Sequence, residues 1–282
     1  MEPRRILGCV LGISMILAGC GGPAAGGLAS ATASPQGPPS PTINATQTAI
    51  AQVTLDIKAT RESADATQKV RQAHLDAAST ANSLRAEQSA TAKANAQMEA
   101  MRSLVEQLAA DGHLTKTEGT YYRLPDFYES WAQIDWFRWW DTGYSPTDFV
   151  VRADMSWSSA SDKANWWNSG CGFVFRTTSR DNLYMAHLAL DGHVYLMRVA
   201  KGIPAQLGGG MYGKVGIPDG SAEMVVIVEG KSMTFLINGK RVLFRQDTAN
   251  PVGGLAFTLV SGTNVGYGTR CKITNVDLWD LD

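Results

Sequence analysis

Neither sign of charge is in excess: 25 Lys and Arg stand against 26 Asp and Glu, a net charge of −1. Nucleic-acid binding calls for a basic face, and this balance argues against it. Long apolar runs are missing as well. The longest, Ile6 to Ala18, has about 13 residues, where a bilayer-spanning helix needs roughly 20. Cysteine is scarce, with four in 282 residues. Neither Cys171 nor Cys271 has a second Cys or a His at zinc-ligand spacing, so no metal site is expected. From Asn44 to Ala110 there is no Gly, no Pro and no aromatic residue. All 24 aromatic residues (8 Trp, 8 Tyr, 8 Phe) lie from Tyr121 onward. That partition leaves only the C-terminal part able to build a substantial core, and its length suits one domain.

What is present at the N-terminus is directional. Arg4 and Arg5 precede the apolar run, which ends in Leu17-Ala18-Gly19-Cys20. Positive charge, a short apolar segment and small residues before a cysteine make a signal-peptide pattern. These four residues resemble the bacterial lipobox. The resemblance implies cleavage before Cys20, lipid on its thiol, and export to the outer side of the cell membrane or into the outer membrane. The membrane, through this lipid, is then the first expected partner. An ordinary secretory signal cut elsewhere, or an uncleaved anchor, is the alternative. In an oxidising compartment the remaining pair, Cys171 and Cys271, is expected to form a disulfide, with two buried free thiols as the alternative.

Residues 1–19 thus read as signal peptide and 20–43 as a disordered linker. Gly21 to Thr42 has no charge and is rich in Gly, Ala, Ser, Thr and Pro. Residues 44–112 read as one long helix. A seam of apolar and small residues runs from Ile50, Val53 and Ile57 through Val70 and Leu84 to Met98, Met101, Val105 and Leu108. Its three-four spacing is that of a coiled coil, broken between Thr67 and Val70 and interrupted by Glu87. Self-association through this helix and a lone helix are both open. At 1.5 Å per residue it would form a spacer of roughly 100 Å. Asp111-Gly112 supplies a stop.

Residues 119–282 read as all-β, with about eleven strands. Apolar segments such as Phe149–Trp157, Cys171–Arg176 and Leu255–Val260 are bounded by turn residues. Asp191-Gly192, Glu229-Gly230 and Asn238-Gly239 mark hairpins. Regular short strands of this kind argue for a two-sheet sandwich. The runs Gly172–Arg176, Asn182–Ala186, Asp191–Leu196, Phe235–Val242 and Gly253–Phe257 occur in that order. In this order they resemble the concanavalin A-like lectin/glucanase jelly-roll sandwich, and more narrowly its 3-keto-disaccharide hydrolase and laminin-G-like branches. The resemblance implies a fold that hosts many activities.

Catalytic chemistry is poorly supported by the residues. The laminarinase-type glycosidases of this fold resemble Glu-x-Asp-x-(x)-Glu on one strand, and no such run occurs here. Glu129, Glu223 and Glu229 are the only glutamates of the domain, and Asp277 and Asp280 read as solvated edge residues. No catalytic residue, cofactor or metal site is assigned. His187 and His193 flank the Asp191 hairpin as ordinary polar positions or as an acid–base or metal pair. Asp181, Asn182 and Asp191 are the nearest approach to a calcium group. Binding is easier to motivate. Strand alternation over Trp131–Trp140 places Trp136 and Trp140 on one face, and Trp131, Phe137 and Trp139 on the other. Trp166 and Trp167 sit in a polar loop that no strand pattern explains, and clustered exposed apolar groups usually mark contact. Trp136, Trp140, Trp166 and Trp167 are therefore the ligand-binding candidates, with a polysaccharide or glycan as partner. The expected function is a lipid-anchored carbohydrate- or ligand-binding module. A glycoside-cleaving enzyme of the 3-keto type, and an envelope spacer or sensor that binds another protein, stay open.

Overall fold

The computed structural model describes residues 42–281. The signal peptide, Cys20 and most of the expected linker lie outside the described residues. By its contacts the chain divides into two units between Leu75 and Asp76.

Helix α1 spans Thr42–Ala110, 69 residues without a break. Its composition explains the continuity, since it has no Gly or Pro to interrupt the ladder. In the first unit the side chains from residue 49 to residue 75 are all exposed, Ile50, Val53 and Ile57 among them. Exposure continues in the second unit as far as residue 96. The last turns differ. Met101, Val105 and Leu108 are buried, and they recur at the spacing of one helix face.

The rest of the second unit is two antiparallel sheets in a jelly-roll sandwich. Its strands are β1 (Thr120–Arg123), β2 (Phe127–Trp131), β3 (Trp136–Tyr144), β4 (Phe149–Ser159), β5 (Gly170–Ser179), β6 (Asn182–Ala189) and β7 (His193–Ala200). They continue as β8 (Ile203–Met211), β9 (Asp219–Glu229), β10 (Ser232–Ile237), β11 (Lys240–Gln246), β12 (Gly254–Ser261) and β13 (Thr269–Asp280). Sheet A runs β1-β13-β4-β9-β10-β11, with β2 also paired to β13; sheet B runs β3-β12-β5-β6-β7-β8. Thirteen strands form where about eleven were expected. The Asn238-Gly239 turn joins β10 to β11 with positive φ at both residues, 50° and 73°. This is the mirror-image turn whose twist matches that of the strands.

Alternation sorts the side chains. Phe149, Val151, Met224, Val226 and Phe235 of sheet A meet Phe173, Phe175, Tyr184, Leu188 and Phe257 of sheet B in one core. Cys171 and Cys271 are disulfide-bonded and join β5 to β13 across that core. The opposite parity in sheet A, Val150, Val225, Ile227, Leu236 and Trp279, packs on Met101, Val105 and Leu108. The end of the expected coiled-coil seam is thus buried against a β-sheet and is not available to a second helix.

Two expectations fail at the level of the strand. Trp131 does not share a strand with Trp136: it ends β2, which pairs with β13, whereas Trp136 opens β3, which pairs with β12. Asp277 is not a solvated edge residue. It is 1% exposed and accepts hydrogen bonds from Tyr121 Oη, Arg123 Nη1 and Arg152 Nη2 at 2.8, 2.9 and 2.7 Å. Desolvation, then the Asp277 bond, pushes the Tyr121 hydroxyl up to about 12.

Candidate functional site

The site grows from the connection between β4 and β5. It contains a single 3-10 turn, Trp166–Asn168. Several backbone groups of the turn find specific partners. Asn165 N donates to Gly262 O at 2.9 Å, and Leu190 N donates to Trp166 O at 3.1 Å. A Cβ at Gly262 would stand 2.1 Å from Asn165 O, so only glycine admits this approach. Asp135 Oδ1 accepts from Asn165 Nδ2 and Asn168 Nδ2, at 2.6 and 3.0 Å. The two asparagines that bracket the tryptophans are anchors for the turn.

His187 completes the support. Its Nε2 lies 3.0 Å from Trp167 O, which is satisfied when that nitrogen carries the proton. The ring is 2% exposed and its Nδ1 has no partner. Burial holds the imidazole below its ordinary 6.5, against weaker opposing pulls from the Trp167 carbonyl and Asp191. His187 is a neutral prop under the turn.

Beside it, the β6–β7 hairpin presents Asp191, His193 and Tyr195. Tyr195 Oη donates to Asp191 Oδ2 at 2.5 Å, and His193 N donates to Asp191 Oδ1 at 3.0 Å. Burial, then the Asp191 bond and charge, raises the Tyr195 hydroxyl. His193 Nδ1 stands 3.4 Å from Asp191 Oδ1. The Tyr195 ring packs among its neighbours: stacked on His193 at 5.7 Å, tilted against His187 at 5.6 Å and edge to face with Trp167 at 6.5 Å between centroids.

The outcome is a pair of indoles held outward on a braced turn. Trp166 and Trp167 are 39% and 47% exposed. They border a cavity of about 380 Å³ with Asp162, Lys163, Asn165 and Asp191 on its rim. Apolar faces with convergent polar groups suit a ligand that is itself apolar on one face and hydroxylated at its edges.

The other two candidate tryptophans separate. Trp136 is 56% exposed and follows Asp135, the anchor of the turn, directly in the chain. Trp140 turns toward the sandwich interior, its ring 5.0 Å from Phe127. The opposite parity of β3, Phe137 and Trp139, packs on Val174, Met185 and Ala256 on the outer face of sheet B. Strand register aligns Trp139, Thr258, Gly172, His187 and Tyr195 in one row across that face. Sequence reasoning did not single out Asp135, which reaches the turn from 30 residues away, nor Asp162 and Tyr195, which lie close in sequence to the tryptophans and to Asp191 but carry no motif. Asp181 and Asn182 do not join Asp191: Asn182 opens the eight-residue β6 and Asp181 directly precedes it, roughly 25 Å along an extended strand from the Asp191 end. Among the described residues no group of three or more His, Cys, Asp or Glu is placed to hold a metal ion.

No protein-family model matches the chain, and no curated protein matches it. Among solved structures it is similar to the carbohydrate-binding module CBM66 from Bacillus subtilis, at 14% identity and a TM-score of 0.41, over 58% of this chain and 93% of that one. It is also similar to sheep galectin-11, at 13% identity and a TM-score of 0.35, over 52% and 98% of the two chains. A fructosyltransferase from A. japonicus matches at 13% identity and a TM-score of 0.42, over 58% of this chain but only 26% of that one.

Proposed function

We propose that this chain is a lipid-anchored, exported lipoprotein that displays a non-catalytic saccharide-binding β-sandwich on a helical tether. The observation that carries the binding role is the Trp166–Trp167 turn. Two neighbouring indoles stay substantially exposed while their backbone is fixed by Asp135, Gly262, Leu190 and His187. Exposing two tryptophans costs solvation free energy, and folding gains nothing from bracing them outward. A sugar ring recovers that cost by stacking, and Asp162, Asn165 and Asp191 supply hydrogen bonds to its hydroxyls. Pre-organisation keeps the entropy cost of binding low.

Anchoring is supported by the Leu17–Cys20 motif. The fully exposed helix surface from residue 49 to residue 96 suits a tether, and its Ile50–Leu84 seam is the face through which copies would associate. Binding is tested by a polysaccharide and glycan panel against wild type, Trp166→Ala and Trp167→Ala. Saccharide binding lost in both variants is expected. A panel without any hit, or hits indifferent to both substitutions, would remove this site. Glycoside cleavage is a second reading, favoured by one observation: Asp162 and Asp191 border the same cavity, with His193 beside Asp191. Release of reducing ends from a bound saccharide, abolished in Asp191→Asn, would replace the binding role with an enzymatic one.

A further inference from the structure

A second cavity lies on the other sheet. Outward side chains of sheet A form two parallel rows beyond the Asp277 ion pairs. Register sets Tyr128, Lys272, Ser156 and Ser221 side by side in one row. Ser130, Arg270, Ser158 and Asp219 make the next. The segment Lys214–Gly216, just before β9, borders these rows at an open cleft of about 460 Å³. Cavities of roughly 300–1,000 Å³ hold small-molecule ligands.

The charge in this space is one-sided. Lys214, Arg270 and Lys272 line it against a single carboxylate, Asp219, so three positive charges less one negative leave +2. None of the three cations forms an ion pair among the described residues. On β1 and β4 of the same sheet, by contrast, Arg123 and Arg152 both reach Asp277. Arg270 is instead steadied by an aromatic face, its guanidinium carbon 4.2 Å from the Tyr267 centroid. Stacking of this kind fixes the plane of the fork and leaves its N–H edges for an anion. Tyr267 Oη is in turn 3.4 Å from Ser158 Oγ. Beneath the rows, Trp157 Nε1 is buried without a partner, and a Cβ at Gly220 would stand 2.8 Å from it. Glycine at this position leaves room for the Trp157 indole on the core side of the sheet, below the rows.

Like charges around one space repel each other, and three unpaired cations offer folding no gain. A neutral sugar would leave them without a counter-charge, and a bare inorganic anion would leave the hydroxyl rows unused. We propose that this cavity binds an anionic saccharide. Its carboxylate or sulfate sits on Arg270, Lys272 and Lys214, and its ring hydroxyls meet Ser156, Ser158 and Ser221. This cavity shares no lining residue with the Trp166–Trp167 cavity over sheet B.

The test is calorimetric titration of the full chain. The probes are oligogalacturonate, glucuronate-containing oligosaccharides and sulfated oligosaccharides, with methyl-esterified oligogalacturonate and inorganic sulfate as comparisons. At least one charged oligosaccharide is expected to bind. Arg270→Gln and Lys272→Gln should each weaken it about tenfold or more, the loss of one charge-assisted contact. Trp166→Ala should leave it unchanged. If Arg270→Gln fails to fold, the exposed Lys214→Gln carries the same expectation. Carboxylate- against sulfate-bearing hits identify which anion is read. Failure of every charged oligosaccharide to bind, equal binding of the methyl ester, or indifference to all three glutamine variants would overturn the proposal. Inorganic sulfate binding as tightly as the oligosaccharides would overturn its saccharide part.

Discussion

His187 and Asp277 show how single buried groups set the behaviour of the surface above them. An unfolded histidine takes up a proton near 6.5, whereas His187 in the folded chain does so only at lower pH, because it is buried with Nδ1 unpartnered. Between those two values the unfolded state binds more protons, so stability rises with pH. The contribution is whole above about pH 6.5 and is lost as the pH falls toward the folded value. Thermal unfolding followed from pH 8 to pH 5 is therefore expected to show a falling midpoint, flattened in His187→Gln. An equal slope in both proteins would detach His187 from the effect. Asp277 is the other case: Asp277→Asn leaves Arg123 and Arg152 without their shared carboxylate. A loss of about 3 kcal/mol by denaturant titration is expected, as for broken buried pairs. Trp166 and Trp167 were legible in sequence because they interrupt a polar loop with no strand period. The burial of Asp277 was not, since it depends on Arg123 and Arg152 arriving from two other strands. Trp140 was misplaced because alternation alone cannot say which face of a strand is core.

At the level of elements, α1 has two characters in one continuous helix. Its last turns bury Met101, Val105 and Leu108 on sheet A, while Val70 and Leu84 are 59% and 53% exposed. Leu108→Ala is expected to destabilise the sandwich by about 2–4 kcal/mol, the cost of a cavity in a packed core. Val70→Ala should change stability by less than about 0.5 kcal/mol. Equal effects of the two, read from chemical denaturation midpoints, would contradict the docking. The helix itself was plain in a stretch without Gly, Pro or aromatics. Its docked end was not, because the same apolar spacing serves a partner helix and a sheet equally well. The hairpins at Asp191-Gly192, Glu229-Gly230 and Asn238-Gly239 were equally plain from their turn residues. Strand β8 was not: Pro204 and Gly208–Gly210 speak against a strand, yet its edge position in sheet B tolerates them.

For the whole molecule, the disulfide ties the two sheets together at their centre, closing a loop of 100 residues. Replacing both Cys171 and Cys271 by Ala is expected to cost about 4–5 kcal/mol in the chain-entropy description. Reduction should lower the thermal midpoint of the wild type and leave the double variant unmoved. This bridge frees the outer faces for other work. Sheet A is covered by helix at one end, ion-paired in the middle and cationic at the other end. Sheet B carries the braced tryptophans. The central claim is that Trp166 and Trp167 form a saccharide platform, and titration of a saccharide identified in the panel against wild type and Trp167→Ala tests it most directly. A well-folded Trp167→Ala with affinity at least tenfold weaker is the expected result, since stacking on one aromatic ring contributes roughly 0.5–1.5 kcal/mol beyond its buried area. A well-folded variant that binds as tightly as the wild type would contradict it.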